Sequence, residues 1–229
     1  IVEREALEEI ATAFAPVDAF YIADGHHRAA SAWRVRNLRD ERAGGRQPNA
    51  PWQRFLVVVF PDNQVKVLAY NRVVADFNGH SSAEFLEALE VDFEVGPPGA
   101  SPEPEERHQF GLYLDGNWRR LTARPHLIDE SDPVARLDVA ILQTHALAPL
   151  LGIEDPRRDS RISFVGGIRG SEDLERRVDE RGSGCAFTMY PTSVSELLAV
   201  ADAGLVMPPK STWFEPKLGS GLLVNPIDE

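Results

Sequence analysis

A short apolar run that stops on Asp-Gly and passes at once into helix-forming residues constrains this chain more than any other feature. Ala19-Phe20-Tyr21-Ile22-Ala23 reads as a buried strand. Asp24-Gly25 is a turn signal, because glycine takes backbone angles that other residues avoid. His26 to Arg42 has the Ala- and Arg-rich composition of a helix. A strand turning tightly into a helix aims the first free N–H groups at one point, with the positive end of the helix dipole behind them. That corner suits a phosphate or a carboxylate. The imidazoles of His26 and His27 and the guanidinium of Arg28 strengthen the anion reading.

Composition narrows the rest. With 229 residues, 26% charged and 43% hydrophobic, the chain can bury a substantial core as one large domain or two small ones. No apolar run approaches the roughly 18 residues of a membrane helix, and no signal peptide is read in it. A single cysteine, Cys185, leaves no internal disulfide and agrees with a reducing compartment, so a cytoplasmic location is expected. A net charge of -12 argues against a nucleic-acid surface, which needs clustered positive charge. Ile1 already falls inside a helical pattern with no initiator methionine, so the chain is expected to be a fragment.

Val2 to Phe14 carries Val2, Ala6, Leu7, Ile10 and Phe14 on one stripe, an amphipathic helix ended by Pro16. Most arginines of the helix from His26 read as a solvated face with cations toward its negative end. A turn-rich linker over Gly44–Pro51 leads to Phe55–Phe60, read as a fully buried strand that turns at Pro61-Asp62-Asn63 and returns as Val65–Tyr70. Asn71-Arg72, at that strand's end, could reach a ligand. Ser81-Ser82-Ala83-Glu84 is a capping box opening a short helix, and Val91–Val95 a strand. Residues 96–107 read as an exposed, mobile loop, and 109–121 as a hairpin about Asp115-Gly116-Asn117. Asp132-Pro133 starts a helix running to Gly152, with His145 packed and hydrogen-bonded near its apolar stripe. Ile162–Val165, Cys185–Tyr190 and the helix Ser193–Ala201 complete the pattern.

Two later stretches are further anion candidates. Gly166-Gly167-Ile168-Arg169-Gly170-Ser171 is a glycine-rich turn between strand and helix with Arg169 inside it. Met207 to Gly221 gathers Lys210, Ser211, Thr212, Lys217 and the glycine-flanked Ser220. Its glycine spacing is not that of a P-loop. The plainer reading of this stretch is a proline-rigidified loop whose Trp213 and Phe214 plug a core. Adjacent His26 and His27 diverge by about 100° on a helix and do not readily share a metal. Cys185 has no zinc-ligand spacing around it, and no nucleophile elbow supports a serine triad.

Together, YIADGHHR (21–28), YNRVVADFN (70–78), FVGGIRG (164–170) and MPPKSTWFEPKLGSG (207–221) resemble the prokaryotic domain-of-unknown-function 1015 family. The DGHHR segment is similar to the phosphate-binding motif of the ParB/sulfiredoxin superfamily, which includes CTP-binding partition proteins, sulfiredoxin and nucleotide-dependent free serine kinases. The resemblance implies that Asp24, Gly25, His26, His27 and Arg28 hold nucleotide phosphates. A histidine stands where sulfiredoxin has its catalytic cysteine, and the helix-turn-helix and basic surface of partition proteins are not apparent. A small-molecule kinase is the reading left standing. In such kinases a carboxylate ahead of the motif deprotonates the acceptor; family members carry a long segment there, absent from this chain.

The expected fold class is α+β: a ParB/sulfiredoxin-like strand-turn-helix element followed by mixed or antiparallel sheets with packed helices. Three regions are expected: 1–47, the C-terminal part of the phosphate-binding region; 52–128, an α+β segment with antiparallel hairpins; and 131–229, an α+β segment ending in the 207–221 loop. The expected activity is an ATP- or ADP-dependent phosphotransferase on a small hydroxyl metabolite, with CTP a further candidate nucleotide and Mg²⁺ the metal. Asp24, His26 and His27 are the catalytic candidates, Asp24 also the candidate Mg²⁺ ligand. Gly25, His26, His27, Arg28, Arg169, Lys210, Ser211, Thr212 and Lys217 are the phosphate or nucleotide contacts. A homodimer is left open. The alternatives are a non-catalytic nucleotide- or phosphate-sensing module, and a plain strand-helix junction with a structural histidine pair.

Overall fold

Alternation of apolar residues along the strands after residue 65 builds one antiparallel sheet and sends its side chains to two cores. The computed structural model describes residues 3–227 except 218, 220 and 222, so Val2 of the predicted stripe and Ser220 lie outside the described residues. Two compact units form, one of residues 60–217 and the other of residues 1–59 with 218–229. Helices and antiparallel sheets together make the class α+β.

In the larger unit, β2 (Tyr70–Val74), β3 (Phe93–Val95), β4 (Gln109–Leu114), β5 (Asn117–Ala123), β6 (Ile162–Gly166) and β7 (Cys185–Met189) form a sheet of order β3-β5-β4-β7-β2-β6. Every pair is antiparallel, with β7 seated between β4 and β2. Val74, Leu112 and Phe187 enter the main core with Phe85 and Leu89 of α3 (Ser82–Leu89), Val139 and Leu142 of α4 (Asp138–Leu142), and Val200 of α6 (Val194–Asp202). Their neighbours Val73, Tyr113 and Ala186 face the other way, onto Leu174 and Val178 of α5 (Glu172–Arg181). Period-two alternation alone accounts for this division.

The expected capping box of Ser81 with Glu84 opens α3, and a second, Ser193 with Glu196, opens α6. The hairpin closes at Asp115-Gly116, with Leu114 opposite Asn117. His145 is hydrogen-bonded, its Nδ1 lying 3.0 Å from Asp92 Oδ2.

Three expectations are corrected in this unit. Asp132 does cap, accepting from the Val134 and Ala135 amides at 2.8 and 3.0 Å, but only a turn follows. Leu137 is extended and buried, α4 starts at Asp138, and a π-helical turn over Gln143–Leu147 carries the chain on toward Gly152. Residues 96–107 are not a free loop. The Gly99 and Ala100 amides bond Trp118 O at 2.9 and 3.1 Å, Arg120 holds Glu103 O at 2.8 Å, and the Thr188 hydroxyl bonds Pro102 O. The segment after Pro61 does not return onto Phe55–Phe60. Instead β1 (Lys66–Leu68) pairs with β8 (Trp213–Glu215), in a separate two-stranded sheet.

Tyr113 makes one buried linkage testable. Its hydroxyl donates to the Asp179 carboxylate at 3.0 Å, and burial, then that carboxylate, push the phenol up to about 12. A folded-state value above the unfolded one near 10 means that the unfolded chain loses its proton first, so stability falls as pH rises from about 10 to about 12. In a phenolate-absorbance titration, the component missing from Tyr113→Phe is expected at the high end of that window. Asp179→Asn moves it down; an unmoved component would remove Asp179 as a cause.

The smaller unit contains α1 (Arg4–Phe14) and α2 (His26–Arg42), which fall within the predicted helical segments. The Trp52 indole and the Gln53 amide donate to Asp40 Oδ1 at 3.0 and 2.7 Å, and these bonds hold the Asp40 carboxyl below the usual range. Arg39 covers the Trp52 ring at 5.5 Å and donates to Ile227 O at 3.0 Å. Residues 19–23 and 55–60, expected as buried strands, are not assigned as strand, and their large apolar side chains are exposed, Phe20 to 60% and Val57 to 57%. A strand needs a ladder partner as well as an apolar run.

Candidate functional site

Helix α2 opens on Gly25, which holds the N-cap position with φ 87° and ψ 26°. A side chain there would cost about 1–2 kcal/mol in backbone conformation. Glycine contributes no capping side chain, and no acid occupies the first helical turn. The partial positive charge of this terminus is therefore met by His26, His27 and Arg28 rather than by carboxylates within the turn.

Arg28 folds back over the terminus. A Cβ placed on Gly25 would lie 3.0 Å from both Nε and Nη2 of Arg28, so the guanidinium occupies the space that glycine leaves open. Asp24 stands one residue outside the helix, its Oδ2 3.8 Å from Arg28 Nη2. Both side chains are largely exposed, and an ion pair of that kind contributes only about 0–1 kcal/mol. The guanidinium can exchange this partner for an incoming anion at small cost. His26 and His27 are exposed on the same first turn.

The larger unit gathers the other candidates around an aromatic pair. Tyr70 and Trp213 lie with ring centroids 5.3 Å apart. The indole rests against Gly166, where an added Cβ would come within 2.5 Å of Trp213 Cε3. Lys210 Nζ sits 5.3 Å from the Tyr70 ring, and Lys217 Nζ 5.1 Å from Trp213. The Gly167 amide bonds Ala69 O at 2.8 Å. Segments 70–74, 164–167 and 207–217 are thus built around one another, although they are far apart in sequence. The glycines 166 and 167 were the signal for this close approach, and the packing role read for Trp213 and Phe214 holds, with Trp213 against Gly166 and Phe214 buried.

The remaining predicted residues fare differently. Ser211 is buried, its hydroxyl turned to Pro208 O and its carbonyl accepting from Thr192 at 3.2 Å. Thr212 is half-buried beside it, and Arg169 stands exposed in the 3-10 turn after β6 without joining these contacts. Cys185 is fully buried, and burial pushes its thiol well above the ordinary range, which makes it inert packing. A hollow of about 310 Å³ is open to solvent at the C-terminal end of α5, between Ser163, Arg177 and Arg181. A helix C-terminus disfavours an anion there.

Among the described residues no group of three His, Cys, Asp or Glu side chains could cage a metal. Mg²⁺ in nucleotide sites takes one or two carboxylates with the phosphates and water, so Asp24 alone fits as the protein's contribution. Among the described residues no helix is long and apolar enough to cross a membrane.

Comparison with known proteins gives a family and distant structural likenesses. No curated protein matches the chain. Among solved structures, a free serine kinase mutant in complex with AMP is 16% identical, with a TM-score of 0.46 over 93% of this chain and 81% of that one. A free serine kinase mutant in complex with ADP is 19% identical, with a TM-score of 0.45 over 92% and 78%. A conserved hypothetical protein from Pyrococcus furiosus is 15% identical, with a TM-score of 0.42 over 92% and 81%. Likeness at this level carries no functional weight. The family described as "Protein of unknown function (DUF1015)" matches residues 1–140, and the chain belongs to that family.

Proposed function

We propose that the chain binds a nucleotide and acts as an ATP- or ADP-dependent phosphotransferase on a small hydroxyl metabolite, serine-like in kind. The observation that carries this reading is the α2 terminus, opened by left-handed Gly25, with Arg28 folded over it and two exposed imidazoles on its first turn. The resemblance of the DGHHR segment to the superfamily's phosphate-binding motif supports it.

In this reading the backbone N–H groups of the first turn, His26, His27 and Arg28 hold the oxygens of the transferring phosphoryl group. The acceptor hydroxyl gives its proton to the Asp24 carboxylate or to an imidazole of His26 or His27, its oxygen bonds to the terminal phosphorus, and the bond to the bridging oxygen breaks, the shortened nucleotide leaving with that bond's electron pair. Asp24 orients the acceptor or holds Mg²⁺, which when bound neutralises charge on the phosphate oxygens. Within the larger unit, Arg169, Lys210, Ser211, Thr212 and Lys217 are assigned to phosphate or nucleotide contact on the strength of their motifs.

Calorimetry of the full chain with ATP, ADP and CTP, followed by a screen of serine-like acceptors, tests the proposal. Saturable nucleotide binding with phosphorylated product, lost in His27→Ala, is the expected result. Binding without turnover on any acceptor would leave the sensing module in its place. No heat with any nucleotide would reduce the motif to a strand-helix junction.

A further inference from the structure

Arg72 is a buried cation that the proposed phosphoryl chemistry does not use. It sits on β2, opposite Phe164 of β6 and Phe187 of β7, and is 3% exposed. Its Nη1 donates to Tyr70 O and its Nη2 to Lys210 O at 3.3 Å, and the guanidinium lies 5.7 Å from the Phe164 ring centroid. Two carbonyls take two of five N–H donors, and no carboxylate among the described residues pairs with the charge. A buried charge without a counter-charge is strongly disfavoured. Burial draws the Arg72 pKa down to about 10, with nothing opposing it.

A cavity of about 30 Å³ is lined by Arg72 together with Val139, Gln143, Leu147, Phe164 and Pro208. One water needs roughly 10–15 Å³. The space is therefore small, on the scale of the four non-hydrogen atoms of acetate, and is tight for phosphorus with its four oxygens. The guanidinium fork matches two carboxylate oxygens, while Val139, Leu147 and Phe164 suit a short apolar remainder.

We propose that the Arg72 cavity is a carboxylate site, taking the acid group of a small organic acid such as acetate. The counter-charge that the fold omits is supplied by the ligand. Because Lys210 O shares Arg72 Nη2, a bound carboxylate competes with this bond and loosens the hold of β2 on the loop carrying Lys210.

The test uses the full chain and acetate as probe, at constant ionic strength against chloride, with inorganic phosphate as the second arm. Saturation-transfer NMR on the acetate methyl and the melting temperature are read together. Saturable contact and a rising melting temperature with acetate, but not phosphate, are expected. Arg72→Met should weaken acetate binding at least tenfold. Val139→Leu, which adds one methylene to the cavity and leaves the cation in place, should do the same and decides the matter if Arg72→Met does not fold. Response to phosphate alone, to neither anion, or undiminished in Val139→Leu would overturn the proposal.

Discussion

Arg28→Ala is expected to weaken ATP or ADP binding by about 10–100-fold in calorimetry of the full chain. A charge-assisted hydrogen bond contributes roughly 1.5–3 kcal/mol, and each 1.4 kcal/mol is tenfold in affinity. The large effect follows from where the guanidinium rests: over Gly25, at the positive end of α2, beside the exposed Asp24 carboxylate at 3.8 Å. Little is lost when it turns to phosphate, and the backbone N–H groups act on the same oxygens. Arg28→Lys keeps the charge and loses the planar fork, so it should fall between the wild type and the alanine variant. The wild-type affinity should also drop with added salt, because the side chains are exposed. An affinity unchanged in Arg28→Ala would detach this residue from the nucleotide.

Gly166→Val is the second large effect, and it acts on the larger unit. Gly166 has φ −63° and ψ 138°, which valine adopts readily, so backbone strain plays no part. The obstacle is Trp213, whose ring carbons would lie 2.5 to 2.9 Å from the new Cβ. The indole must leave, taking with it the Tyr70 contact and the register of Leu68 opposite Trp213. Overpacking of this kind costs about 1–3 kcal/mol and occasionally more. Loss of the Trp213 packing puts the expected destabilisation at the top of that range, about 3 kcal/mol. A lower urea midpoint with a red-shifted component of tryptophan emission checks it, and that component should be absent when Trp213→Phe is combined with the change. A midpoint within error of the wild type would mean that the indole has room elsewhere.

The elements legible in the sequence are those whose information is local. Helix α2 was readable because Asp24-Gly25 marks its start and the Gly44-Gly45 turn its end. Ser81 with Glu84 and Ser193 with Glu196 form the boxes that their spacing requires. The two misread strands, 19–23 and 55–60, show the limit. An apolar run says that a segment favours burial, not which neighbour will bury it, and these side chains remain exposed. The β1–β8 pairing went unseen for the related reason that Val67 opposite Phe214 is set by tertiary packing across most of the unit. At the candidate site, the residue types and the glycine were readable from Asp24 to Arg28. The return of Arg28 over Gly25 was not, because it depends on a side-chain torsion and not on spacing. The burial of Arg72 was equally hidden, since an arginine at a strand end reads as solvent-facing until two further strands close around it.

The position of β7 between β4 and β2 also sets the order in which the larger unit can form. The β4–β5 hairpin closes from neighbouring residues, but β2 and β4 have no common partner until Ala186 and Phe187 arrive. On the ribosome the β4–β5 and β2–β6 pairs can form before β7 is made, but the two halves of the sheet join only when it arrives. Such non-local pairing slows folding and exposes unpaired edges to other chains. The cost of seating a late strand at the centre of the sheet is therefore kinetic: until Met189 is made, the edges of β2 and β4 that β7 covers stay unpaired with it.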